Sequence, residues 1–149
     1  MEQKLKYRLK NLFTGVSAPR TIAEIEIMLG EMGANQILKE MDGGIIQSVS
    51  FTIRLKGKNI PYQLPMNIEK ARGIIDLMAN NRIIPMKFAQ EPYRTERAQM
   101  VGWRIIKDWL YAQLSLFKME LVDPIQIFLP YLWDEKNQKT LGQHFSETG

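Results

Sequence analysis

The sequence predicts an α+β fold: a helix, a three-stranded antiparallel meander, then helices including one long central helix. Three observations carry that expectation. Apolar residues recur at helical spacing from about Pro19 to Met32. The stretch NQILKEMDGGIIQSVSFTIRLKGKNIPYQLP then alternates apolar with polar residues and is broken twice by turn residues. Farther on, ERAQMVGWRIIKDWLYAQLSLF is apolar around most of a helical circumference, the mark of a helix buried on two sides. A chain of 149 residues fits one domain with one substantial core. The expected organisation is a basic arm over 1–18, a single α+β domain over 19–132 and a polar tail over 133–149.

In the arm, KLKYRLK satisfies two periods. With period two, Leu5, Tyr7 and Leu9 oppose Lys4, Lys6, Arg8 and Lys10, as on an edge strand. With helical period, Leu5, Leu9, Leu12 and Phe13 form a stripe, so strand and helix both remain open. The first helix then turns Ile22, Ile25, Met28 and Leu29 inward and stops at Gly33. Asp42-Gly43-Gly44 marks a hairpin, because tight turns between strands need positive φ. After it Val49, Phe51, Ile53 and Leu55 alternate with Ser48, Ser50, Thr52 and Arg54, which predicts a sheet with one wet face. Gly57-Lys58-Asn59 makes the next turn, and Pro61 means that the last strand lies at an edge or is irregular. The second helix starts behind the N-cap Asn67, carries Ile68, Ala71, Ile74, Ile75 and Met78 inward, and breaks at Asn80-Asn81. The long helix is expected from Pro92 or Tyr93 to Leu121. Asp123-Pro124 opens a short apolar helix that Pro130 limits. The tail from Trp133 is expected to be loosely held, with Leu141 and Phe145 able to anchor one more turn.

On the long helix, Ile106, Leu110, Leu114 and Phe117 fall within roughly 60° of Trp103, and Ile105, Trp109, Ala112 and Leu116 gather on a second stripe. Both tryptophans are therefore assigned to the core rather than to a stacking surface. The remaining wedge lines up Arg97, Arg104, Lys107 and Lys118 with Tyr111 and a single acid, Asp108. Cations spaced around a ring can hold phosphates while the ring stacks on a base. The same wedge also reads as a solvated face with a weak Arg104–Asp108 pair. A second basic spot is the hairpin tip, Arg54, Lys56 and Lys58, which either enters a nucleic-acid groove or protects the sheet against edge pairing.

The formal charge is +4, distributed as +4 over residues 1–20, −4 over 21–53, +7 over 54–107 and −3 over 108–149. Such asymmetry favours a polyanionic partner if the basic blocks converge, and cancels if acidic and basic segments pair on folding. With no cysteine, disulfides, thiolate nucleophiles and thiolate metal sites are excluded. No apolar run reaches the ~20 residues of a membrane span and no signal-peptide core is present, so the expected location is the cytoplasm. The lone histidine, His144, lies in the tail, and no HExxH, GxSxG, Walker or GxGxxG pattern occurs. No cofactor, metal site or catalytic residue is expected.

The run ERAQMVGWRIIKDWLYAQLSLF followed by IFLPYL, with TIAEIEIMLGEMGA upstream and FTIRLKGKNIPYQLP between, resembles a family of small proteins without settled function that are common in tailed phages and prophages. Its distinctive part is W-R-I-I-K-D-W with the later L-P-Y-L, and the likeness covers most of the chain after Pro19. It implies a phage setting, in a host-cell cytoplasm, and carries no catalytic residues over. The order helix, meander, helix is also similar in topology to double-stranded RNA-binding domains and to the core of single-strand annealing proteins. The glycine and lysine pattern of the former is missing; NIEKARG offers only Lys70 and Arg72.

The expected function is thus a non-enzymatic, phage-encoded nucleic-acid-binding accessory protein of replication or recombination. Its contacts would come from Lys4, Lys6, Arg8, Lys10, Arg54, Lys56, Lys58, Arg97, Arg104, Lys107, Tyr111 and Lys118. The alternative is a protein-interaction module, either an oligomeric subunit or an inhibitor of a host protein.

Overall fold

A computed structural model describes residues 9–148. Lys4, Lys6 and Arg8, and with them the choice between strand and helix for the arm, lie outside the described residues. From Leu9 to Phe13 the chain is neither: a turn closes with Thr14 N–H donating to the Asn11 carbonyl, and Leu12 is buried.

Helix α1 (Ala18–Glu31) starts at Ser17, whose hydroxyl accepts from the Arg20 N–H, with Pro19 in its first turn. It buries Ile22, Ile25 and Leu29, and Gly33 at φ 100° redirects the chain. The meander follows as β1 (Ala34–Asp42), β2 (Ile45–Leu55) and β3 (Lys58–Gln63), antiparallel and in sequence order. Gly43 (φ 58°) and Gly44 (φ 80°) make the first turn. The second turn sits one residue earlier than expected, at Lys56 (φ 49°) and Gly57 (φ 81°), because a two-residue hairpin of this type needs positive φ at both central positions. Lys58 already belongs to β3. The β1–β2 register slips between Glu40 and Met41, opposite Ser48 and Ile46, so Gln47 is an extra residue and Ile46 joins Val49 in the core.

Helix α2 (Ile68–Asn80) is capped by Asn67, whose side chain accepts from Lys70 N–H at 3.0 Å. A single 3₁₀ turn over Met86–Ala89 leads to α3 (Tyr93–Lys118), a 26-residue helix. Helix α4 (Pro124–Phe128) opens with a capping box between Asp123 and Gln126. The tail is more ordered than its composition suggested. Strands β4 (Trp133–Asp134) and β5 (Lys139–Thr140) form a small hairpin, and α5 (Leu141–Thr148) follows. Leu132 bridges to Tyr62, fastening this hairpin beside β3, whereas Phe145 stays exposed.

Helix α3 divides two cores. On one side Trp103, Ile106, Leu110 and Leu114 pack with α1 and the inner sheet face. On the other, Ala98 and Val101 pack with Leu12, Ile75 and Met78 of the N-terminal turn and α2. Trp103 is fully buried with its indole N–H unpartnered, and Trp109 lies edge-on to Phe128 and Tyr131, so both tryptophans are core. The second stripe is covered unevenly: Ala112 is exposed. Phe128 plugs the end of the larger core, 4.9 Å from the Phe51 ring and 5.7 Å from Tyr62. Burial, and after it the charge of Asp123, raises the Tyr62 hydroxyl above its ordinary pKa.

Candidate interaction surface

The basic wedge of α3 is occupied from within the chain. Helix α1 lies against α3, and its acidic face meets the cations there: Arg104 donates to Glu24 at 2.5 Å, and Lys118 lies 3.3 Å from Glu31. Arg97 donates to the carbonyls of Thr14 (2.5 Å) and Leu12 (3.5 Å) and stacks over Phe88. Lys107 (3.6 Å) and Lys10 (3.2 Å) share Asp108, which also accepts from Asn11 at 2.8 Å. Burial alone would raise the Asp108 carboxyl, but hydrogen bonds from Asn11 and Lys10 and the charges of Lys10 and Lys107 outweigh it and hold the group below the ordinary range. Tyr111 is 59% exposed, with Lys107 over its ring. The expected phosphate contacts of this helix are thus engaged within the chain: Arg104 and Lys118 each by a carboxylate, Lys107 by one that it shares with Lys10, and Arg97 by neutral carbonyls.

The hairpin tip differs. Among the described residues Arg54, Lys56 and Lys58 have no carboxylate partner, and Lys56 and Lys58 flank the exposed Gly57. The α3 cations Arg104 and Lys118 have α1 as their ion-pair neighbour, and Arg97 and Lys107 lie against the N-terminal turn or the acid that it shares.

Two features of the sheet went unseen in the sequence. The first is an asymmetry of its edges. At β3, Pro61 lacks an N–H and Tyr62 is bridged to Leu132, so that edge is blunted. At β1 no strand pairs on the outside among the described residues, and the strand contains neither proline nor glycine. Leu38 (59% exposed) projects from its outer face and Met41 (60%) from its inner one. Lys39, the natural guard of such an edge, is drawn back to Glu26 of α1 at 2.8 Å, an ion pair without hydrogen-bond alignment. The signal was present in NQILKEMD, where two large apolar residues follow the strand period on opposite faces.

The second feature is a cleft of about 950 Å³ beneath the projecting β1–β2 turn, facing the first turns of α1 and α3. Its apolar lining includes Met41, Ile45, Ile46, Pro19 and Met100. At its rim the Thr95 hydroxyl donates to Glu91 (2.6 Å) and accepts from Arg72 Nε (2.9 Å), while Arg94 grips both oxygens of Asp76. The Thr95 hydrogen bonds hold the Glu91 carboxyl below its ordinary pKa. The Thr95 hydroxyl is thus committed to both Glu91 and Arg72. His144 is likewise engaged, 3.0 Å from Asp134 in the tail hairpin. Among the described residues no three His, Asp or Glu side chains cluster as a metal site, and no helix is long and apolar enough to cross a membrane.

No protein-family model, curated protein or solved structure matches the chain.

Proposed function

We propose that the protein is a non-enzymatic interaction module whose docking surface is the open edge of the sheet at β1. The single observation behind this is the contrast between the two edges. One carries a proline and a bridging segment, and the other is the outer side of a nine-residue strand that no strand pairs among the described residues, flanked by exposed Leu38 and Met41. An added strand gains main-chain hydrogen bonds along such an edge, and apolar side chains on both faces clamp it. In the phage setting that the resemblance implies, this describes an oligomeric subunit or an inhibitor of a host protein.

Panning a random peptide display library against the immobilised protein tests the proposal. Selected peptides are expected to alternate apolar and polar residues. They should bind about tenfold or more weakly to Leu38→Lys/Met41→Lys, because burial of a leucine or methionine is worth about 1.5–3 kcal/mol. Peptides that bind both forms equally would refute it.

Nucleic acid is a second reading, carried by the uncompensated charges of Arg54, Lys56 and Lys58 alone. Three cations on a loop tip support weak, salt-sensitive contact with phosphates. Labelled single- and double-stranded oligonucleotides at two salt concentrations test it, and no binding at low salt ends it.

A further inference from the structure

We propose that the strand added at β1 is β1 of a second copy, paired antiparallel about a two-fold axis through Leu38. This rests on the reading of β1 as the docking edge and names its occupant. The sheet can grow only on this side, since Pro61 and the Leu132 bridge obstruct the other.

A two-fold axis perpendicular to a sheet keeps inner faces inner, so residues directly opposite each other must share a face. That condition leaves few registers. Centred on Lys39, the pairing sets lysine against lysine; centred on Glu40, it sets glutamate against glutamate. Like charges directly opposite are destabilising. Centred on Ile37, it meets the irregularity at Ala34/Gln36 after pairing Gln36–Leu38 only. Centred on Leu38, it pairs Gln36–Glu40 with the same residues of the copy and stops short of the irregularity at Ala34/Gln36. Leu38 then meets its own copy on the outer face and Glu40 faces Gln36. On the inner face Lys39 lies opposite Ile37 while its ammonium group remains tied to Glu26 of its own chain. In this register the charges of the paired stretch lie opposite uncharged residues and Leu38 is covered by its copy.

The result expected is a six-stranded antiparallel sheet running through both copies. Light scattering of the full chain should give twice the 17.3 kDa chain mass, with concentration-dependent dissociation. Leu38→Lys should abolish the dimer with an unchanged far-UV spectrum, because this side chain is outside the core. The chain has no cysteine, so Leu38→Cys introduces a single thiol. Directly opposite Cα atoms lie about 4.5–5.5 Å apart, within disulfide range, so mild oxidation should cross-link this variant rapidly. Met119→Cys, exposed on α3's far end, should cross-link slowly.

A monomeric mass at every concentration overturns the proposal, as does a dimer unaffected by Leu38→Lys, or equal cross-linking of the two cysteine variants. A monomer that still selects edge-binding peptides would sink the self-pairing while leaving the docking edge intact. A monomer that selects none would sink both.

Discussion

Releasing the two α3 cations from their acids should turn a poor polyanion binder into a better one. Glu24→Gln/Glu31→Gln frees Arg104 and Lys118 without moving a backbone atom, since both acids sit on the partly exposed face of α1. Each pair is worth about 1 kcal/mol or less to the fold, so the variant stays folded. On duplex DNA each cation that meets a phosphate steepens the plot of log affinity against log salt by about 0.9. Two freed cations therefore add about 1.8 to the slope, a difference of about tenfold in affinity lost between 50 and 200 mM salt. Fluorescence anisotropy with a labelled duplex over that range reads it directly. The reciprocal change, Arg104→Gln/Lys118→Gln in the natural chain, should leave the slope unchanged because those charges are already spent on Glu24 and Glu31. A slope that flattens by about 1.8 in the reciprocal variant would refute the reasoning and return α3 to the phosphate-binding face.

Three further outcomes follow from the packing. Phe128→Ala empties the junction of the Phe51, Tyr62 and Trp109 rings and should cost about 3–5 kcal/mol in urea titrations; a loss below about 1 kcal/mol would mean that the cluster closes over the gap. A Cβ on Gly142 would lie 2.9 Å from the Pro130 carbonyl oxygen, so Gly142→Ala should lower the melting temperature by an amount equivalent to about 1–3 kcal/mol. Gly102→Ala meets only the flexible end of the Met66 side chain, its methyl at 2.6 Å and sulfur at 3.1 Å, and its gain of about 1 kcal/mol in helix propensity should bring it close to neutral in the same melts. Asp134 is held at about 2 by hydrogen bonds from Asn137 first and His144 next. Its folded pKa is below its unfolded one, so its contribution to the tail hairpin is complete above about pH 4 and disappears as pH falls through about 2, visible as a Trp133 fluorescence change absent from Asp134→Asn.

Much of the architecture was legible because it rests on short-range rules. Asn67 and Asp123 announce their helices through side-chain caps within three residues, and Gly43 and Gly44 announce a turn through φ alone. Trp103 and Leu110 declare a buried face by spacing within one helix. The site was less legible because its terms act across the fold. Arg104 and Glu24 are 80 positions apart, and nothing in either neighbourhood foretells the bond. Within α3 the visible candidate was Arg104 with Asp108; Asp108 is taken instead by Lys10, Asn11 and Lys107. The tail was underestimated for a similar reason: Leu132 joins Tyr62 from far along the chain.

The cancellation of charge has a consequence for the sheet. An α1 rich in glutamate beside an α3 rich in arginine and lysine keeps the helical layer together, and the same α1 reaches across to Lys39 through Glu26. That contact removes from β1 the mobile lysine that would otherwise keep other strands away. The sequence thus spends a guarding charge on internal packing at an edge that, among the described residues, is neither kinked by proline nor bridged. For a solitary chain this leaves unpaired backbone and two exposed apolar side chains, an invitation to non-specific association. Covering the edge with a strand of matching pattern removes that liability without altering a single internal contact. This is why the mass of the chain in solution is the direct test of what the β1 edge does.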